Sequence, residues 1–509
     1  MTTPSTGILI LGYNRPLHLQ SVLESLRLQG VLQCAHVWLD GTQNRGEYVN
    51  DNAHSVEIAK NYKTRELRAH RSHLGIEKMM LDGLEYISTL YNRVIILEDD
   101  CFPLEGGIKE FEKTLDTVED EPEIFSVYGH HFGVEPANTS NFPRFQGWGW
   151  AAYSQKINLL LPELRRLFMM SEESYIKYIA ETLTDDIVKK LDVTPGRDVL
   201  NVLNSFFSWD SATAFLSAKN HMLHRRTTKA SVVNTGLSKG IGHFQNDTLK
   251  FRSPPFNMIT VDEAWARYDR TTEPCRLDRA TYGLDGLDRI IRSALPKRMK
   301  GHFIEIGAND GVSQTNSALL EAAGWTGIMI EPVPRLYARC LRSRPNVEVV
   351  HAACVSPEHG KVTIKITDIG LMSFTTEANL SKNQRKEWIK RGKAFAEGQA
   401  QDIEVPAKTL SRVLDDCCSR RPDLLLLDVE GAEISVLKGL DFFRHGPAYI
   451  VAEDAYDDSV KMFLEKKGYQ QIRILLERKF TRDCLYTCSA GEEGETKSFL
   501  HRLRKRLFK

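Results

Sequence analysis

Short apolar runs alternate with stretches whose apolar residues recur at helical spacing. Gly7–Leu11 (GILIL), Ala35–Leu39 (AHVWL) and Arg93–Leu97 (RVIIL) are brief and nearly continuous, the pattern of strands buried on both faces. Between them, Leu17–Leu28 and Ile76–Leu90 carry apolar residues one helical turn apart. This alternation predicts an α/β sheet with mostly parallel strands. The periodicity weakens beyond residue 245 into a polar stretch containing Pro254-Pro255, and residues 251–285 are expected to be a linker or interface region. A second alternation opens at Phe303 with FIEI and continues through Gly327–Glu331, Val347–Ala352, Leu424–Asp428 and Ala448–Glu453. Helical segments are expected around 313–323, 335–343, 410–418 and 431–439. The predicted fold class is α/β in two domains, 1–250 and 286–490, each a doubly wound sheet, followed by a basic tail, 491–509.

A chain of 509 residues exceeds what one hydrophobic core usually organises, in keeping with two domains. Lys+Arg and Asp+Glu both total 67, so no overall charge points to a nucleic-acid partner. No apolar run is long enough to cross a bilayer, and Met1–Ser5 lack the basic and apolar regions of a secretory signal. The nine cysteines are scattered, apart from Cys417-Cys418, and none forms a C-x-x-C pair. They read as reduced thiols, and the expected location is the cytoplasm. In the tail, Phe499, Leu500, Leu503 and Leu507 share one helical face, with Arg502, Arg504, Lys505, Arg506 and Lys509 over much of the rest. Such a helix suits peripheral contact with the inner face of an anionic membrane, and equally a solvated or inter-subunit helix.

The strand at Arg93–Leu97 runs into Glu98-Asp99-Asp100. Carboxylates just past a strand's carboxyl end lie where open α/β sheets bind ligands. Hard oxygen ligands there suit a divalent cation that neutralises a diphosphate, although a solvated turn also accounts for an acidic triplet. The triplet has company: Gly12-Tyr13-Asn14-Arg15-Pro16, Asp40-Gly41, Arg71 to Gly75, Gly147-Trp148-Gly149-Trp150-Ala151, Ser208-Trp209-Asp210, Asn234-Thr235-Gly236 and His243. In this order the elements resemble GT-A glycosyltransferases, particularly bacterial family-2-like members and, more remotely, animal N-acetylglucosaminyltransferases acting on N-glycans. The resemblance implies a nucleotide-sugar donor, expected to be UDP-linked. It implies that Asp40 faces the nucleoside, that Glu98 and Asp99 flank sugar and ribose, and that Asp100 and His243 bind Mn²⁺ or Mg²⁺. Asp210 then takes the acceptor's proton in an inverting transfer. Trp148 and Trp150 offer an apolar wall to a sugar, and Arg71 a donor-side contact; relatives carry asparagine where His73 stands. Each residue has a structural alternative: Asp40 a turn with Gly41, the tryptophans core packing, Asp210 a helix cap, His243 a hydrogen-bond partner.

In the second half, Phe303-Ile304-Glu305-Ile306-Gly307-Ala308-Asn309-Asp310-Gly311 is a strand entering a glycine-bearing turn. The glycines permit close approach of a ligand to the backbone, and the GxGxxG spacing of dinucleotide enzymes is absent. The next strand ends in Glu331, positioned to accept hydrogen bonds from ribose hydroxyls. The fourth ends in Asp428-Val429-Glu430-Gly431-Ala432-Glu433, and the fifth in Glu453. IGAxDG, IEPxP and LLxxDVEGAExxVLxG resemble the FkbM family of methyltransferases. The resemblance implies S-adenosylmethionine held by Glu305, Gly307, Asn309, Asp310, Gly311 and Glu331. Asp428 and Glu430 are then the candidates for base or orienting group, or else helix-start carboxylates, and Glu433 reads as structural. The expected function is bifunctional: sugar transfer to a glycan or lipid-linked glycan acceptor, and O-methylation of a sugar hydroxyl, in bacterial surface-polysaccharide assembly. The alternative is a methyltransferase whose N-terminal domain binds glycan without catalysis.

Overall fold

The computed structural model describes residues 6–43, 48–135, 140–193, 206–237, 248–268, 273–296, 300–369, 372–375, 378, 385–386, 389–390, 401–417, 421–454, 457–478 and 481–488. The chain divides into two compact units, Met1–Arg270 and Thr271–Lys509.

The first unit contains strands β1 (Thr6–Gly12), β2 (Ala35–Leu39), β3 (Glu66–Ala69), β4 (Arg93–Glu98), β5 (Cys101–Pro103), β6 (Ile124–Tyr128), β7 (Asn141–Phe142), β8 (Trp150–Tyr153), β9 (Leu223–Arg226) and β10 (Val232–Asn234). Its main sheet has the order β3-β2-β1-β4-β8-β6-β9-β7, and β10 pairs with β5 in a separate ribbon. The first four strands are parallel, and β8 runs antiparallel to β4 and β6. Alternate residues of β1 feed two cores. Ile8 and Ile10 pack with Leu19, Val22, Leu23 and Leu26 of the helix Pro16–Leu28, whereas Leu9 and Leu11 join Met80, Leu84 and Ile87 of the helix Ile76–Leu90. Burial on both faces is why these strands lack polar alternation.

The second unit contains β11 (His302–Ile306), β12 (Thr326–Ile330), β13 (Glu348–Val350), β14 (Ala353–Cys354), β15 (Thr363–Asp368), β16 (Phe374–Thr375), β17 (Gln401–Lys408), β18 (Leu424–Leu427), β19 (Tyr449–Asp454), β20 (Tyr469–Glu477) and β21 (Arg482–Cys488). The main sheet runs β13-β12-β11-β18-β19-β21-β20, parallel up to β19 and antiparallel beyond. Strand order reverses at β11, which opens a crevice at the carboxyl ends of β11 and its neighbours. A small second sheet, β14-β17-β15-β16, was not anticipated from sequence. Two of its strands have only two residues each, too short for any periodic signal. The α/β class expected for both halves is the one observed.

Residues 251–285, expected as linker or interface, are divided between the units. Ile259 N–H donates to the Asn234 carbonyl at 3.0 Å, and the helix Val261–Tyr268 sets Trp265 edge-on to Phe102, ring centres 4.9 Å apart. Cys275 N–H instead donates to the Ser343 carbonyl, and the Tyr282 N–H donates to Asp288 in the second unit. No helix among the described residues is long and apolar enough to cross a membrane. The tail 491–509 lies outside the described residues.

Candidate active sites at two sheet edges

In the first unit, the end of β4 delivers Glu98, Asp99 and Asp100 beside the loop that leaves β1. Tyr13 N–H donates to Asp99 Oδ2 at 3.1 Å, Arg15 Nη1 lies 3.5 Å from Asp99 Oδ1, and the same nitrogen donates to Asp100 Oδ2. Burial works against the Arg15 charge, but Asp100 and Asp99 outweigh it and hold the guanidinium more firmly protonated than usual. Burial pushes Asp99 up to about 6, against the pull of Arg15 and with a further push from Asp100. Glu98 is raised well above the ordinary range by burial, then by Asp100 and Asp99, with a further contribution from Asp210. The last influence places Asp210 in the same electrostatic environment as the acidic triplet. Asp210 is exposed in the first turn of the helix Trp209–Lys219, accepting from the Ser208 hydroxyl and from Ser211 N–H at 2.8 Å.

The ribbon after β10 closes over Asp100. Thr235 donates to the Asp100 carbonyl through both N–H (2.7 Å) and Oγ1 (3.0 Å). A Cβ on Gly236 would stand 2.8 Å from Asp100 Oδ2, so a side chain there would crowd the carboxylate. His18, absent from the sequence expectations, places Nε2 3.1 Å from the Thr235 carbonyl. Burial and the neighbouring Arg15 lower it to about 4, so it stays neutral and donates. Arg15 and His18 are assigned by geometry; the only sequence signal was Arg15 within the Gly12–Pro16 run.

Several other residues expected at this site have protein partners of their own. Asp40 is spent on backbone: it accepts from Gly41 N–H (2.8 Å), Leu74 N–H (2.7 Å) and Gly75 N–H (3.0 Å), and His73 Nδ1 lies 2.8 Å from Oδ2. The turn with Gly41 is observed, and His73 meets the same carboxylate. Trp150 is a core residue, 1% exposed and packed among Phe125, Phe145 and Trp209, which corrects its expected place on a sugar wall. Trp148 is partly exposed, its ring stacked on Phe132 at 5.5 Å and edge-on to His130. Arg71 is exposed, and its carbonyl lies so close to Gly41 that a Cβ there would approach within 2.3 Å. His243 lies outside the described residues. Among the described residues, no three His, Cys, Asp or Glu side chains gather as a metal-ligand set. Asp99 and Asp100 supply hard carboxylate oxygens of the kind Mn²⁺ or Mg²⁺ takes, already bridged by a cation in Arg15.

In the second unit, a solvent-open cleft is lined by Gly307, Asn309, Glu331, Asp428 and Glu430 among others. The strand register explains the gathering: Ile306 pairs with both Ile330 and Leu427, so the next residues, Gly307, Glu331 and Asp428, emerge side by side. Gly307 has φ +84, and a Cβ on it would stand 2.1 Å from the Asp428 carbonyl oxygen. Asn309, also left-handed at φ 52, directs its N–H to Glu331 Oε2 at 2.8 Å, while Val333 N–H donates to Oε1 at 2.8 Å. Burial pushes Glu331 up to about 8 despite these two donors.

Asp428 opens on the cleft, and its carboxyl is raised well above the usual range by the surrounding protein and by Glu453, Asp483 and Glu433, with Arg478 opposing. Glu453 is itself pushed up to about 8 by burial and by Glu430. Asp483 and Arg478, joined at 2.5 Å, come from β21 and the β20–β21 turn, whose contribution no sequence motif marked. Glu433 accepts from Val429 N–H (3.3 Å) and Gly431 N–H (3.1 Å), the structural role expected of it.

Three expected cofactor contacts do not line the cleft. Glu305 is occupied by Thr315 Oγ1, Asn316 N–H and Ser317 Oγ, at 2.8, 2.6 and 2.5 Å. Asp310 closes its own turn, accepting from Val312 N–H (2.9 Å) and Ser313 N–H (2.6 Å). Gly311 packs beneath Ser343, whose Oγ would lie 2.7 Å from a Cβ there. These residues shape the loop, and Gly307, Asn309 and Glu331 form the wall.

No curated protein matches the chain. Among solved structures, it is similar to a TehB-like SAM-dependent methyltransferase from Corynebacterium glutamicum, at 11% identity and TM-score 0.22, covering 40% of this chain and 87% of that one. It is also similar to a mannosyltransferase from Pyrobaculum calidifontis solved with GDP-Man and Mn²⁺, at 15% identity and TM-score 0.24, covering 31% and 47%. A mannose-1-phosphate geranyltransferase from Thermus thermophilus is similar at 12% identity and TM-score 0.28, covering 77% and 99%. Residues 305–471 match the methyltransferase FkbM domain family, a span that takes in Gly307, Asn309, Glu331, Asp428 and Glu430. The chain is an enzyme, with a methyltransferase domain in its second unit.

Proposed function

We propose that the chain carries two transfer activities: an inverting, metal-dependent glycosyl transfer in the first unit and sugar O-methylation in the second. The observation that carries the reading is that each parallel sheet ends in an ordered group of carboxylates at its ligand-binding edge. In the second unit, S-adenosylmethionine supplies the methyl group. Glu331 accepts from the ribose hydroxyls, Gly307 lets the cofactor pass close to the backbone, and Asp428 or Glu430 receives the acceptor proton.

In the first unit, a UDP-linked sugar donor sits at Asp99 and Asp100. Mn²⁺ or Mg²⁺, held by Asp100 with His243, neutralises the leaving diphosphate when bound. Asp210 takes the proton of a glycan or lipid-linked acceptor hydroxyl, Trp148 offers an apolar surface and Arg71 a donor-side contact. Surface-polysaccharide assembly at the cytoplasmic membrane face suits such a pair of activities, and the basic tail would supply peripheral membrane contact.

One observation favours a second reading, a methyltransferase with a non-catalytic glycan-binding first unit. Arg15 already neutralises Asp100, as a structural ion pair would. Turnover of labelled nucleotide sugars, with and without chelator and in Asp100→Ala, decides between them. The bifunctional reading expects turnover that chelator and the substitution both abolish. Absence of turnover alongside retained glycan binding and methyl transfer supports the second reading.

A further inference from the structure

The cleft of the second unit has a wall that does not belong to the main sheet. Ile366, Phe374 and Thr375, from β15 and β16, line it together with the carboxyl edge. This wall is fixed by a buried ion pair: Arg335 on the helix after Glu331 donates to Asp368 at the end of β15, through Nε at 3.3 Å and Nη2 at 3.0 Å. Ser373 Oγ donates to Asp368 at 3.3 Å and accepts from Ile369 N–H at 3.1 Å, which pins the start of β16. Thr375 pairs with Ile366 across the two strands. Its hydroxyl is buried and has no hydrogen-bond partner among the described residues, although Thr375 lines the cleft. A buried hydroxyl without a partner is costly unless a ligand or water completes it.

We propose that Thr375 hydrogen-bonds the nucleoside half of the cofactor, and that Asp368 is a positioning residue holding β16 against that half. The inference rests on the cofactor reading above and deepens it. Glu331 fixes where a ribose sits, and the apolar surfaces of Leu336, Ile366 and Phe374 beside it suit a flat, weakly polar base. A single hydroxyl then orients the base, and the buried Arg335–Asp368 pair keeps it in place because neither charge tolerates losing the other.

The test is calorimetric binding to the full chain, with S-adenosylhomocysteine and with 5′-methylthioadenosine, which lacks the amino-acid end. Thr375→Val, which keeps the shape, is expected to weaken both ligands equally, by about 5- to 10-fold. Thr375→Ser, which keeps the hydroxyl, stays near wild type. Asp368→Asn weakens both ligands as well. The double variant Arg335→Met with Asp368→Leu, which removes both charges, regains the melting temperature but not the affinity. Unchanged binding by Thr375→Val overturns the proposal, as does weakening of S-adenosylhomocysteine alone, which would put the hydroxyl at the amino-acid end. Recovery of full affinity in the double variant removes the positioning role from Asp368. If the wild-type chain binds neither probe, the cofactor reading itself falls, and the proposal with it. Should Asp368→Asn fail to fold, the two Thr375 variants still decide the main point.

Discussion

Gly307 lies so close beneath Asp428 that a Cβ on it would stand 2.1 Å from the Asp428 carbonyl oxygen. The contact joins the turn after β11 to the end of β18, and both residues line the same cleft. Gly307→Ala must move one of the two strand ends and also places a side chain at φ +84. The expected cost is on the order of 2–4 kcal/mol in stability, with loss of S-adenosylmethionine binding. Thermal melting together with calorimetric titration checks it; wild-type values in both would mean that the turn relaxes freely.

Glu331 makes the stability of the second unit depend on pH in a direction opposite to that of most carboxylates. Its ordinary value is 4.5, and burial pushes it up to about 8. Between those values the folded chain keeps a proton that the unfolded chain has released. Stability from this source is therefore complete below the lower value and is lost as pH rises through the upper one. Glu453, also pushed up to about 8, acts in the same direction. Melting temperature is expected to fall over that interval, less steeply in Glu331→Gln. A slope that Glu331→Gln leaves untouched would exclude Glu331 as its source. The same substitution points an amide N–H₂ at one of two backbone N–H groups, so cofactor affinity should drop by about 1–3 kcal/mol.

Asp210 stands exposed at the start of its helix, and accepts from the neighbouring Ser208 hydroxyl and Ser211 N–H. As proton acceptor it should affect the transfer step and not donor binding. Asp210→Asn is expected to lower glycosyl transfer by on the order of 10²-fold or more while nucleotide binding stays near wild type. Initial rates paired with calorimetry separate the two effects. Unchanged turnover would reassign the base.

Trp265 is fully buried against Phe102, so the first unit needs the helix Val261–Tyr268. A fragment ending at residue 260 loses that side chain, equivalent to a large-to-small core change of about 3–5 kcal/mol. A fragment of residues 1–270 should melt cooperatively and bind nucleotide, whereas the shorter one should be markedly less stable. The second unit is expected to need residues from 271 onward, because Cys275 bonds to Ser343. Equal stability of the two N-terminal fragments would show that the Trp265 helix is dispensable.

Local pattern was enough to find the central parallel strands of both main sheets. Ile8 to Leu11, Ile304 to Ile306 and Leu424 to Leu427 have no low-energy alternative to a doubly covered sheet, because each buries both faces. Acidic residues just past those strands were legible for the same reason: a strand's carboxyl end is fixed once the strand is. Gly307 and Asn309, with positive φ, were legible as a turn.

What each carboxylate does was decided by residues far away in the chain. Glu305 alternates with Ile304 and Ile306 and so points to the other face of β11, where Thr315, Asn316 and Ser317 donate to it. Asp40 meets three N–H groups that arrive only when residues 41 and 74–75 fold over it. Arg15 reaches Asp100 across 85 positions of sequence, and Arg335 reaches Asp368 across 33. A side chain's nearest donor or counter-charge is a property of the packed chain, since burial makes an unmet charge costly and folding settles which partner is within reach. The sequence by itself therefore determined which strand ends carry carboxylates, and tertiary packing determined which partner each carboxylate meets.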